Sequence, residues 1–229
     1  MRQKEFERAK ILFKYALEQL PKEKSQRLYN QFLEFEKQHG TREEMEEAIL
    51  TKRRHKLEAE VAREPFNYDT WFDYIRLEEQ AGQIDAAREV YERSIVNVPP
   101  ANDKRFWKRY IYLWLNYAMF EEAQALNTER AGLIYEKVLF ELVPHEVFTF
   151  AKLWILYAQF LVRQKQVERA RKVFGQALGR CPRRKLFKAY AQMEEKLAQF
   201  DRCRKVYERQ IEVFPDSSET WIEYAEFEA

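Results

Sequence analysis

One eight-residue pattern recurs along this chain and limits what it can fold into. It appears as WFDYIRLE (71–78), WLNYAMFE (114–121), WILYAQFL (154–161) and WIEYAEFE (221–228), with weaker copies YNQFLEFE (29–36) and FKAYAQME (187–194). Each copy reads aromatic, two residues, aromatic, two residues, apolar, then Glu, with Leu161 alone replacing that Glu. The eighth positions, 36, 78, 121, 161, 194 and 228, fall at intervals of 42, 43, 40, 33 and 34 residues. Repetition at 33 to 43 residues is the signature of stacked supersecondary units, because one such unit cannot bury its own apolar face.

A second pattern follows the first, as AAREVYERSIVNVPP (86–100), RAGLIYEKVLFELVP (130–144), RARKVFGQALGRCP (169–182) and RCRKVYERQIEVFP (202–215). A lone copy, RAKILFKYALEQLP (8–21), opens the chain, and the second repeat carries a longer, degenerate version from about Met45 to Pro65. All seven prolines (Pro21, Pro65, Pro99, Pro100, Pro144, Pro182 and Pro215) stand at or just past the end of a second pattern. Proline cannot continue a helix and pushes its predecessor out of the α region, so these are stop signals. Between the stops, apolar residues such as Ala87, Val90, Tyr91 and Ile95 recur at steps of three and four, which is helical spacing. Gly40 and Gly82 fall where the first helix should turn into the second.

The predicted unit is a helix hairpin, helix A then helix B, ended by proline. The predicted fold is an all-α superhelix, a single array over 1–229. It opens with a half repeat (5–21), continues with full repeats at 25–65, 68–100, 104–144, 149–182 and 184–215, and closes with a half repeat (218–229).

The recurring aromatics are read as repeat core: Trp71, Tyr74, Tyr91, Trp114, Tyr117, Tyr135, Trp154, Tyr157, Phe174, Tyr207, Trp221 and Tyr224. At about 100° per residue Glu78 lies between Trp71 and Tyr74, so the carboxylate enters an apolar stripe and needs a partner. Within each hairpin the Glu and a helix-B tyrosine occur together: Glu78, Glu121 and Glu194 go with Tyr91, Tyr135 and Tyr207, whereas Leu161 goes with Phe174. The expectation is a Tyr-to-Glu hydrogen bond inside each hairpin, with Glu36 against Ile49 as the exception. The array ends are expected to leave Phe13, Leu17, Trp221 and Tyr224 partly uncovered and so to favour self-association.

Signals for chemistry are sparse. His39, His55 and His145 lie in different repeats without metal-ligand spacing, and no GxGxxG, Walker A or GxSxG sequence occurs. No enzyme, metal or cofactor is therefore expected. Lys+Arg 40 against Asp+Glu 38 gives a net charge of +2, unlike a surface built wholly for a polyanion. Local basic clusters are candidates for RNA contact or nuclear localisation: Lys52, Arg53, Arg54 and Lys56 around His55; Lys104, Arg105, Lys108 and Arg109; and Arg180, Arg183, Arg184, Lys185 and Lys188. Two cysteines without CxxC spacing point to a reducing compartment, and MRQKEFERAK lacks the apolar core of a signal peptide. No apolar run is long enough for a membrane span.

The paired patterns, W-x-x-Y-x-x-[LF]-E then A-R-x-[VI]-[YF]-E-R ending in Pro, resemble HAT (half-a-TPR) repeats of RNA-processing proteins. The stretches NYDTWFDYIRLEE (67–79), KRFWKRYIYLWLNYAMFEE (104–122), FTFAKLWILYAQFLVRQK (148–165) and FDRCRKVYERQIEVFP (200–215) resemble, more narrowly, the crooked neck-like family of pre-mRNA splicing factors. That resemblance implies a nuclear, non-catalytic scaffold of the spliceosome with partners of the Prp19 (NineTeen) type. It also implies a fragment or shortened homologue, since the family's array is longer. Alternatives from the same repeat class are a scaffold of mRNA 3′-end cleavage or ribosomal RNA processing, or a direct RNA-binding module.

Overall fold

The computed structural model describes residues 2–20, 25–100, 104–144 and 147–229; Pro21 and His145, singled out above, lie outside these residues. Among the described residues the chain is helical and contains no strand. The helices are α1 (Arg2–Gln19), α2 (Gln26–His39), α3 (Arg42–Arg63), α4 (Tyr68–Gln80), α5 (Ile84–Ile95), α6 (Lys104–Ala123) and α7 (Thr128–Glu136), which continues as a π-helix (Lys137–Leu142). They are followed by α8 (Ala151–Arg163), α9 (Val167–Arg180), α10 (Arg184–Lys196), α11 (Phe200–Val213) and α12 (Ser218–Glu228). The chain divides into two compact units, with the border inside α6 after Leu113. Within each unit the helices pair as antiparallel hairpins that stack on their neighbours.

Local chemistry sets the helix ends. Thr41 and Glu44 form a reciprocal capping box at the start of α3, with side chain and backbone bonds of 3.3 and 3.0 Å. Turns from helix A to helix B use one left-handed residue: Gly82 (φ 70°), Leu126 (53°), Lys165 (60°) and Ala198 (54°). Glycine meets this need at no steric cost, whereas the other three carry a strain of about 1–2 kcal/mol each. Gly40 differs, with extended backbone at φ −86°. A Cβ there would collide with the Glu36 carboxylate and stand 2.7 Å from its carbonyl oxygen.

The predicted aromatics largely line the interior. Trp71, Tyr74, Tyr91, Trp114, Tyr117, Tyr135, Trp154, Tyr157, Phe174 and Tyr207 are buried. The indole N–H of Trp71 donates to Pro65 O at 2.9 Å and that of Trp221 to Pro215 O at 3.0 Å. Each such tryptophan thereby ties the start of one repeat to the proline stop of the one before. Trp221 is nevertheless 52% exposed, while Tyr224 is half-buried against Tyr207, with stacked rings 5.3 Å apart. Leu17, expected to be uncovered, is buried with Tyr29, Phe32 and Ala48.

Candidate functional site

The feature that repeats between hairpins is a buried ion pair. Arg54 on α3 grips Glu78 on α4 through one guanidinium edge, Nε and Nη2 donating to the two carboxylate oxygens at 2.6 and 2.7 Å, and Glu78 is only 2% exposed. Arg171 on α9 grips Glu194 on α10 in the same way at 2.7 and 2.7 Å, and Glu194 is fully buried. Arg204 on α11 repeats the contact with Glu228 on α12 at 2.7 and 3.1 Å, on an exposed surface. A forked donor suits a carboxylate that must enter an apolar stripe, since both oxygens are satisfied at once. The bonds to Glu78 and Glu194 hold the guanidinium pKa values of Arg54 and Arg171 above the ordinary arginine value.

This geometry corrects the expected Tyr-to-Glu bond. Tyr91 donates to Glu79 at 2.7 Å, one residue beyond Glu78. In sequence the same correlation also holds one position on, where the Tyr91–Glu79 bond is observed. Tyr91, Tyr135 and Tyr207 match Glu79, Glu122 and Glu195, Phe174 matches Val162, and Ile49 matches Lys37, so the earlier exception disappears. Glu122 is itself taken by Arg163, at 2.6 and 2.6 Å, and the Tyr135 hydroxyl has no hydrogen-bond partner; burial pushes its pKa up to about 12.

The ion pair joins successive hairpins, so positions within one hairpin carry no sign of it. Shifted by one repeat, the register is complete: Lys10 with Glu36, Arg54 with Glu78, Arg88 with Glu121, Gly132 with Leu161, Arg171 with Glu194 and Arg204 with Glu228. The cation stands eleven residues before the stop proline in every copy except the one with Gly132, which precedes Pro144 by twelve. That copy carries the π-helix Lys137–Leu142, and a π-turn absorbs one extra residue. Where the pair is absent, a groove of about 330 Å³ opens, with Leu133, Tyr157, Phe160, Leu161 and Arg169 around Gly132. Glu121 is met within its own hairpin by Arg130 Nε at 3.4 Å, and Arg130 also donates to the Tyr117 hydroxyl at 2.9 Å.

The basic clusters are partly consumed by these contacts. Arg54 is committed to Glu78, Lys52 donates to Asn30 at 2.7 Å, and His55 packs on Tyr29 with ring centres 5.1 Å apart. Arg109 pairs with Asp69 at 3.0 Å, and Lys104 lies over the Phe150 ring. Arg184 reaches Glu219 and Glu223, and Lys188 also pairs with Glu223, at 2.9 Å. Arg54 and Arg184 thus act between helices rather than as members of an open phosphate-binding patch. Arg53, Lys56, Arg180, Arg183 and Lys185 remain at least partly exposed. No group of His, Cys, Asp and Glu suited to a metal occurs among the described residues, and His39 instead stacks on Phe6 at 4.1 Å. No helix among them is long and apolar enough to cross a membrane.

Comparison with known proteins agrees with this architecture. The protein crooked neck of Drosophila melanogaster is 52% identical over 226 residues, 99% of this chain and 32% of that protein. Crooked neck-like protein 1 of Homo sapiens is 51% identical over 212 residues, covering 93% of this chain and 25% of that one. The pre-mRNA-splicing factor cwf4 of Schizosaccharomyces pombe is 46% identical over 228 residues, 100% of this chain and 34% of that one. The chain therefore spans about a quarter to a third of the length of these relatives. A solved thermophilic TPR protein of Thermus thermophilus aligns over 90% of this chain and 98% of its own at 15% identity, with a TM-score of 0.43, too distant to bear on the fold. Residues 53–216 match the pre-mRNA-splicing factor Syf1/CNRKL1 N-terminal HAT repeat, and the chain belongs to that HAT-repeat family.

Proposed function

We propose that this chain is a non-catalytic scaffold segment in pre-mRNA splicing, working in the nucleus with protein partners of a Prp19 (NineTeen)-type complex. The observation that carries the reading is identity near one half, over nearly the whole chain, to relatives named crooked neck and pre-mRNA-splicing factor. The architecture supports it: side chains that bear charge are spent on fixing one helix against the next, as a part that holds partners in constant geometry requires. In this reading residues 1–229 form one HAT array, with repeats bounded by the prolines at 65, 100, 144, 182 and 215. Affinity purification of the tagged chain from nuclear extract, with quantitative mass spectrometry, tests it. Enrichment of Prp19-type proteins supports the proposal; enrichment instead of 3′-end cleavage or ribosome-assembly factors overturns it.

RNA contact is the second reading, and the structure moves its candidates. Arg54 and Arg184 are engaged in ion pairs, leaving Arg53, Lys56, Arg183 and Lys185 as the accessible cations. Salt-dependent binding of single-stranded RNA that weakens in Arg183→Glu with Lys185→Glu supports direct contact; no binding at low salt removes it.

A further inference from the structure

Glu36 occupies the first junction at the position held by Glu78 and Glu194 further along. It is 1% exposed, yet neither carboxylate oxygen receives a hydrogen bond from the described residues. Lys10, which stands where the other junctions carry arginine, lies 3.8 Å away and is drawn to Glu44 on α3. Glu44 is fixed there by the capping box, because it also accepts from the Thr41 N–H. A single ammonium shared in this way cannot satisfy both oxygens of Glu36, as a guanidinium does at Glu78.

Glu36 is among the residues that line a cavity of about 350 Å³ between α1, α2 and α3, together with Lys10, Lys14, Tyr29, Phe32 and Thr51. The Tyr29 hydroxyl is a second buried group there without a hydrogen-bond partner among the described residues. A buried carboxylate left in this state is costly, and a ligand that donates to it recovers that cost. Two aromatic rings beside an acid also suit a flat, delocalised cation better than a compact, strongly hydrated ammonium.

We propose that this cavity receives an arginine side chain from a partner protein, its guanidinium gripping Glu36 as Arg54 grips Glu78 and Arg171 grips Glu194. The first junction is then the place where another chain supplies the guanidinium that Arg54 and Arg171 supply at the Glu78 and Glu194 junctions. The proposal does not depend on which complex the chain joins.

The test is a titration of the ¹⁵N-labelled chain with Nα-acetyl-arginine methylamide, followed by amide shifts, with the citrulline and lysine analogues as controls. A small probe of this size should bind with a dissociation constant of about 1–10 mM. The expected result is saturable shifts centred on Glu36, Gly40 and Thr51 with the arginine probe, at least about tenfold weaker with citrulline and lysine, and similarly weakened in Glu36→Gln. Citrulline keeps the shape and loses the charge, so this comparison holds even if Glu36→Gln fails to fold. Equal response to citrulline or lysine, shifts centred elsewhere, or no saturation overturns the proposal. Self-association dissolved by the arginine probe would place a second copy of this chain in the cavity and overturn the partner assignment.

Discussion

The α9–α10 and α7–α8 junctions solve one problem in opposite ways. The first buries Arg171 and Glu194 as a forked ion pair; the second carries Gly132 and Leu161 at the same two positions. Charge is therefore kept or dropped as a unit, as expected if removing one partner strands a buried charge while removing both is nearly neutral. The uncharged junction replaces the lost contact with apolar packing: Leu161 is buried, and a Cβ at Gly132 would stand 3.5 Å from Phe160, an ordinary contact distance.

The sharpest way to break the comparison is to put half of the pair into the junction that lacks it. Leu161→Glu should destabilise the second unit by about 3–5 kcal/mol in urea unfolding, since Gly132 supplies no guanidinium at the matching position and Arg169, in the same groove, is paired with Glu136. Adding Gly132→Arg should restore about half of that loss, beyond the gain of roughly 1 kcal/mol that Gly132→Arg makes alone through helix propensity. No extra rescue would mean that register alone does not define the pair.

A smaller effect separates the incomplete first junction from the completed ones. Burial raises the Glu36 pKa above its ordinary value of 4.5, Lys10 and Lys14 oppose the rise, and Glu44 and Glu7 add to it. The folded state then holds this proton more tightly than the unfolded chain. Stability contributed by Glu36 should therefore fall as pH rises from about 4.5 through the raised folded-state pKa, and Glu36→Gln should remove that fall. Thermal melts at stepped pH check this; an unchanged slope in Glu36→Gln would argue against a strained carboxylate.

The smallest expected effect concerns the bond inside the hairpin. Tyr91→Phe should cost about 1 kcal/mol, and the loss should couple to Glu79→Ala rather than to Glu78→Ala. Coupling to Glu78 instead would reinstate the partner expected from the joint occurrence of Glu and Tyr in each hairpin.

Much of the fold was legible because its signals are local. Proline stops and three-to-four spacing locate hairpins without knowledge of tertiary contacts, as in α4–α5 before Pro99 and α10–α11 before Pro215. Glu78 was placed correctly in the apolar stripe, since that depends only on the helical period. Its partner was not, because Arg54 lies on the preceding hairpin and the contact is a matter of stacking between repeats. The Tyr91 partner was missed by a single residue, a step of about 100° that a wheel drawn for an isolated helix cannot fix against its neighbour. The left-handed turns at Leu126, Lys165 and Ala198 carry no glycine and so left no mark in composition. The π-helix left only one surplus residue before Pro144.

The most direct test of the account is a double-mutant cycle in urea with Arg171→Met and Glu194→Leu. Arg171→Met should cost about 3–5 kcal/mol, because Glu194 is left fully buried without its guanidinium. Glu194→Leu should cost less, since Arg171 keeps its contact with Glu168. The double variant should fall close to the wild type, so the coupling energy should be about as large as the two single losses together, and at least as large as the Arg171→Met loss. Additive losses would contradict the claim that the ion pair is kept or dropped as a unit between successive repeats.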